Sequence, residues 1–169
     1  MAGAAVAFVD LKGDVFTFQT IDMKKAGGSK YFHCVRGLIH NSKSDDLTPA
    51  NLIYAVQVGL PVKELKDLQA SLDVPMERLG PMLGISKATL HRRRAGQRLA
   101  PAESDRVVRF AKLMGQAVVT MESEDDARKW LASPQFGLGG AVPLEYAETE
   151  VGAREVENLL GRIEYGVYS

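Results

Sequence analysis

Leu79-Gly80-Pro81-Met82-Leu83-Gly84-Ile85-Ser86-Lys87-Ala88-Thr89-Leu90-His91-Arg92-Arg93-Arg94 is the stretch whose reading decides the fold. Its spacing predicts two short helices joined by a tight turn. Gly84 takes positive φ without a Cβ clash and so closes the first helix. Ser86 offers its hydroxyl to the first unpaired N–H groups of the second helix, the work of an N-cap. Ile85, just before that cap, and Leu90, four residues after it, stand at hydrophobic-staple spacing and fix the entry angle. Together these features outline a helix-turn-helix, whose second helix lies in the major groove of DNA.

The same spacing selects the side chains that face outward. With Leu90 toward the core and about 100° per residue, Ala88 and Arg92 point away from it, flanked by Thr89 and His91. Lys87, Arg93 and Arg94 fall at the margins, where a long basic side chain reaches phosphate, and Arg98 follows in the connector. A small residue, a hydroxyl and an arginine on one face suit base reading, because arginine bridges guanine O6 and N7. The candidate DNA-contact set is therefore Ser86, Lys87, Ala88, Thr89, His91, Arg92, Arg93, Arg94 and Arg98. The competing reading is that Arg93 and Arg94 only meet the free carbonyls at a helix C-terminus.

Charge divides along the chain in support of this. The 169 residues carry 21 basic and 21 acidic side chains, a formal net charge of zero. Residues 62–112, however, hold 11 Lys and Arg against 6 Asp and Glu, whereas residues 113–169 hold 4 against 10. A cationic middle joined to an anionic C-terminal third suggests nucleic acid on one part and a different partner on the other. At 46% hydrophobic and 25% charged, the chain has the composition of a globular protein rather than a disordered one. No apolar run approaches a membrane span. The N-terminus lacks the basic start of a secretory signal, and the single cysteine, Cys34, rules out an internal disulfide. The expectation is a cytoplasmic protein without membrane contact.

Three segments follow in order: an N-terminal extension at 1–46, a helix-turn-helix domain at 47–100 and a C-terminal domain at 101–169. In the first, Ala4–Asp10 and Val15–Ile21 are β-rich and flank Leu-Lys-Gly-Asp, a pattern that suits a hairpin turn. The segment reads as a small β appendage, a disordered arm or extra upstream sequence. Lys24–Lys30 lacks the spacing of a phosphate-binding loop. His33, Cys34 and His40 lack the spacing of metal ligands, so no metal and no cofactor are expected. Thr48-Pro49 starts a helix marked by Leu52, Ile53, Val56 and Leu60 and ending near Gly59. Val62, Leu65, Leu68 and Leu72 mark the next. Gly96 ends the recognition helix. Pro101 begins the longest helix, which runs to about Met121 and is apolar around much of its circumference, so it is buried on more than one side. Glu103, Asp105, Arg106 and Arg109 on it read as a structural ion-pair cluster. Ser123 caps a helix closed by Trp130 and Leu131. The glycine-rich turn Phe136–Gly140 is expected to pack against Trp130, ahead of the helical start Pro143-Leu144-Glu145. Thr149 caps a last helix with Val151, Val156, Leu159, Leu160 and Ile163 as its inner stripe.

From about Pro49 onward the order of landmarks resembles the Xre/MbcA/ParS antitoxins, the partners of toxins with a RES domain. The likeness rests on Gly84-Ile85-Ser86, Thr89-Leu90, Arg92-Arg93-Arg94 and Arg98-Leu99, then Glu103-Ser104-Asp105-Arg106 with Arg109. It continues through Ala127-Arg128-Lys129-Trp130-Leu131 with Pro134, Leu138-Gly139-Gly140, Pro143-Leu144-Glu145, Thr149, Gly152, Val156 and Arg162-Ile163-Glu164-Tyr165-Gly166-Val167. The resemblance implies a mainly α fold, an Xre-like bundle fused through the long helix to a small helical toxin-binding domain. It also implies an antitoxin with no chemistry of its own, which occludes the active site of an NAD-consuming RES-domain toxin and represses its own operon. The residues accord with that. Arg154, Glu157, Arg162 and Glu164 leave charge near the end of the last helix, and Tyr165, Gly166, Val167, Tyr168 and Ser169 supply an end able to enter a pocket. A homodimer is expected, because paired recognition helices read two half-sites. The alternative is a stand-alone regulator whose C-terminal half dimerises or senses a ligand.

Overall fold

The computed structural model describes residues 8–9, 15–16, 34–39, 48–92 and 97–166. The chain divides into two compact units, Met1–Phe32 and His33–Ser169. In the first, β1 (Phe8–Val9) and β2 (Val15–Phe16) pair antiparallel, with Phe8 opposite Phe16 and Val9 opposite Val15. These pairs lie in the two β-rich runs. The intervening turn, the Lys24–Lys30 stretch, His33 and His40 lie outside the described residues.

The second unit is helical: α1 (Cys34–Ile39), α2 (Pro49–Val58), α3 (Val62–Leu72), α4 (Met76–Met82), α5 (Lys87–Arg92), α6 (Pro101–Met121), α7 (Glu124–Ala132), α8 (Pro143–Tyr146) and α9 (Glu150–Glu164). The mainly α fold read from the sequence is the fold found. Helix α6 is its axis. Its buried side chains include Val107, Val108, Phe110, Ala111, Leu113, Met114 and Ala117, and α1, α2, α3, α7 and α9 all pack on it.

Local chemistry sets the start of α6. The Glu103 carboxylate accepts the Ala100 N–H at 2.7 Å, which satisfies a donor that the helix cannot. Ser104, fully buried, donates to the Ala100 carbonyl at 2.9 Å and accepts from Leu60 N–H at 2.9 Å. A buried hydroxyl with both capacities used costs little, and this one ties α6 to the α2–α3 junction. That junction is also stitched to the connector before α6, through Leu99 N–H to Leu60 carbonyl (2.7 Å) and Val62 N–H to Gln97 carbonyl (2.9 Å).

Three features depart from the expectations. Helix α1 forms where the sequence suggested a β appendage, an arm or extra sequence. Its Val35 and Ile39 are buried, its first turn is held by the buried Glu64 carboxylate on α3 (2.8 Å to Val35 N–H), and its Leu38 carbonyl lies where a Cβ on Gly115 would sit. Such a short helix has no stability of its own, so the signal lies in its partners rather than its residues. Ile53, one of the apolar residues that mark α2 in the sequence, is 58% exposed. On α9, Val151 is exposed while Gly152 and Ala153 are buried, because the Tyr146 carbonyl lies against Gly152 and leaves no room for a larger side chain.

Glu64→Ala removes the acceptor for a buried N–H. It should lower stability by about 1–3 kcal/mol, read as a lower urea midpoint at unchanged slope.

Candidate functional site: a recognition helix and an exposed C-terminal helix

The turn before α5 is built as its sequence demands. Gly84 takes φ +69. Ser86 Oγ accepts the Thr89 N–H at 3.2 Å and lies 2.9 Å from Thr89 Oγ1. Ile85 is buried, Leu90 is half-buried, and Gly80 is packed against both: a Cβ there would come 2.9 Å from Leu90 Cδ1 and 3.2 Å from the Ile85 carbonyl oxygen. Arg106 of α6 adds a contact that sequence reasoning placed in an ion-pair cluster. Its Nη1 donates to the Leu83 carbonyl at 3.1 Å, and its guanidinium occupies the space where a side chain at Gly84 would sit. The long helix thus caps the end of α4 and holds the turn that aims α5. No spacing rule links residues 23 positions apart; only the fold brings them together.

Lys87, Ala88, His91 and Arg92 are exposed on α5, as is Ser86 at its cap. Thr89 is half-buried and its hydroxyl meets Ser86, so the cap shares this candidate. Arg93 and Arg94, with Gly96, lie outside the described residues. Arg98, in the connector ahead of α6, pairs antiparallel with Pro61 and donates from Nη1 to the Gly59 carbonyl at 2.6 Å. Beside α5 an open groove of about 550 Å³ is lined by Met76, Glu77, Pro81, Lys87, Leu90 and His91. The face therefore gathers a hydroxyl, a methyl, an imidazole and two cations, the chemistry suited to a groove edge and its phosphates.

The second candidate surface is carried by α9. Thr149 Oγ1 caps it, accepting Gly152 N–H at 3.0 Å, and Val156 and Leu160 bury its inner side. Arg109 of α6 holds its first turn, pairing with Glu150 at 3.1 Å and with Asp105 at 3.2 Å. The four-residue cluster predicted on α6 thus divides: Glu103 caps, Arg106 holds the turn, and Arg109 with Asp105 anchors α9. Of the other candidates, Arg154 is exposed and pairs with Glu150 at 3.4 Å. Glu157 is half-buried and its carbonyl accepts from Gln116 at 3.2 Å. Arg162, Glu164 and Gly166 are exposed, and Tyr165 is 80% exposed. Val167, Tyr168 and Ser169 lie outside the described residues. Among the described residues, no cluster of three or more His, Cys, Asp or Glu is placed to hold a metal ion. No helix among them is long and apolar enough to cross a membrane.

Known proteins share both halves. Residues 52–112 match the antitoxin Xre-like helix-turn-helix domain, and residues 114–166 match the antitoxin Xre/MbcA/ParS C-terminal toxin-binding domain. The antitoxin Xre of Yersinia enterocolitica is 34% identical over 120 residues, 70% of this chain and 81% of that protein. The antitoxin Xre of Photorhabdus laumondii is 34% identical over 113 residues, 66% of this chain and 76% of that protein. A Sphingobium protein named Prs ADP-ribosylating antitoxin is 30% identical over 132 residues, 72% of this chain and 83% of its own length.

Ser86→Ala removes the hydroxyl that accepts the Thr89 N–H, so it should cost about 1 kcal/mol, read as a lower thermal midpoint.

Proposed function

This chain belongs to the Xre/MbcA/ParS antitoxin family, and from that premise we propose that it neutralises a RES-domain toxin and represses its own operon. The observation that carries the reading is the pairing of two surfaces in one compact unit. One is a capped α5 with Lys87, His91 and Arg92 exposed; the other is an α9 whose exposed end runs on into Tyr165 and Gly166.

For the toxin, the proposed contact set is Arg154, Glu157, Arg162, Glu164, Tyr165 and Gly166 with the terminal Val167, Tyr168 and Ser169. Together they enter and obstruct the toxin's active site. The Sphingobium relative's name couples that protein to ADP-ribosylation, a chemistry whose donor is NAD, and this favours an NAD-consuming toxin here. A pocket that receives a dinucleotide presents cationic groups to its phosphates. The acidic C-terminal third complements such a lining and speeds the encounter. The antitoxin needs no reaction of its own to act this way; occupancy suffices.

For DNA, a homodimer in the cytoplasm sets two α5 helices into successive major grooves of a palindromic operator, with half-sites about one helical turn apart. Lys87 and Arg92, joined by Arg93, Arg94 and Arg98, supply the phosphate and base contacts. The domain limits we propose are an extension at 1–46, the DNA-binding part at 47–100 and the toxin-binding part at 101–169, with α6 shared in contact by both.

Co-expression with a RES-domain protein, sought first in the reading frames adjacent to this chain's own, tests the reading. Co-purification and restored cellular NAD are the expected results; no association and continued NAD loss would leave only a stand-alone regulator. Arg92→Ala should cost about 1–3 kcal/mol of operator affinity and relax sequence preference while sparing neutralisation, read by fluorescence anisotropy at two salt concentrations. Deleting Val167–Ser169 should impair protection of toxin-expressing cells and leave the melting temperature unchanged.

A further inference from the structure

Among the described residues the most exposed large apolar side chain is Phe136, at 101%, in the short 3₁₀ turn Phe136–Leu138 between α7 and α8. The backbone around it is fixed at many points. Gln135 N–H donates to the Ala141 carbonyl at 3.0 Å, closing the loop at its base. Across the loop, Gly140 N–H reaches the Gln135 carbonyl at 2.9 Å and Gly139 N–H the Phe136 carbonyl at 3.0 Å. The side-chain amide of Gln135 donates to the Trp130 carbonyl at 2.9 Å and to the Ser133 carbonyl at 3.1 Å. Gly139 and Gly140, at φ +66 and +87, allow the reversal. On its inner side Gly137 sits on Leu159 of α9, where a Cβ would come 2.6 Å from Leu159 Cδ1.

This loop therefore holds an aromatic ring in water on a rigid support, the reverse of what folding alone favours. A Phe buries about 150–250 Å² when covered, and aromatic side chains are enriched where proteins meet. Because the loop is already ordered, covering the ring requires little further loss of freedom. The loop also rests on α9, the helix that carries the proposed toxin contacts, and it lies inside the matched toxin-binding domain at 114–166. We propose that Phe136 is a second anchor of the antitoxin, its ring filling an apolar pocket on the toxin beside the site reached by the end of α9. The proposal rests on the reading above that the partner is a toxin. It extends the contact from a terminal plug to a surface with two supports, one in the terminal helix and one in the loop braced on its side.

The test is isothermal titration of the RES-domain protein that the co-expression experiment pairs with this chain, using full-length wild type, Phe136→Ser and Phe136→Leu. Since the ring touches solvent, both variants should melt with the wild type. Phe136→Ser should bind about tenfold to a hundredfold more weakly, and Phe136→Leu should recover most of the loss. If wild type binds and Phe136→Ser binds within about threefold of it, the anchor is refuted while the antitoxin reading stands. If wild type does not bind, both fall together. If sedimentation shows that Phe136→Ser loses self-association and keeps its toxin affinity, the ring belongs to a contact between copies and the proposal is overturned.

Discussion

The fold depends on burying a 21-residue helix on several sides at once. An apolar stripe on one side of a helix needs a single neighbour, but α6 is apolar around most of its girth. It stays out of water only if other elements surround it. Helices α1, α2 and α3 cover it from upstream in the chain, and α7 and α9 from downstream. Ser104 shows how tight that enclosure is: even its one buried hydroxyl is saturated, by Ala100 on its own helix and Leu60 on the α2–α3 junction.

Two arginines on α6 turn this shared core into a frame for both surfaces. Arg106 reaches the Leu83 carbonyl and fixes the turn before α5, while Arg109 reaches Glu150 and fixes the start of α9. They are three positions apart and so lie on neighbouring parts of one helix face. The two candidate surfaces are therefore aimed by one rigid element. A further ion pair, Arg78 on α4 with Glu145 on α8 at 2.7 Å, joins the two parts directly, although both side chains are substantially exposed and the pair adds little stability.

Helix α1 completes the enclosure from an unexpected quarter. It lies upstream of the matched helix-turn-helix region, yet Val35 and Ile39 are as deeply buried as any residue of that region. Its six residues hold no strong helical period and cannot persist alone. What holds it is an acceptor on another helix, Glu64, and a missing side chain, Gly115, neither of which is near in sequence.

The sequence by itself determined the elements that local chemistry controls. The turn at Gly84, the caps at Ser86, Ser123 and Thr149, and the proline starts at Pro49 and Pro101 were legible because each satisfies backbone groups within a few residues. The outward face of α5 was legible for the same reason, since helical spacing alone sets it. The resemblance quoted for Pro49 onward likewise rested on local landmarks in order. Tertiary structure alone decided the rest: that α1 is a helix, that Arg106 holds a turn, that Val151 faces water, and that Phe136 stands exposed on a loop seated on α9. Each depends on an atom of another element, such as the Glu64 carboxylate, the Leu83 and Tyr146 carbonyls or the Leu159 side chain. Periodicity describes a residue's own helix; which neighbour lies across from it is fixed only when the whole core packs.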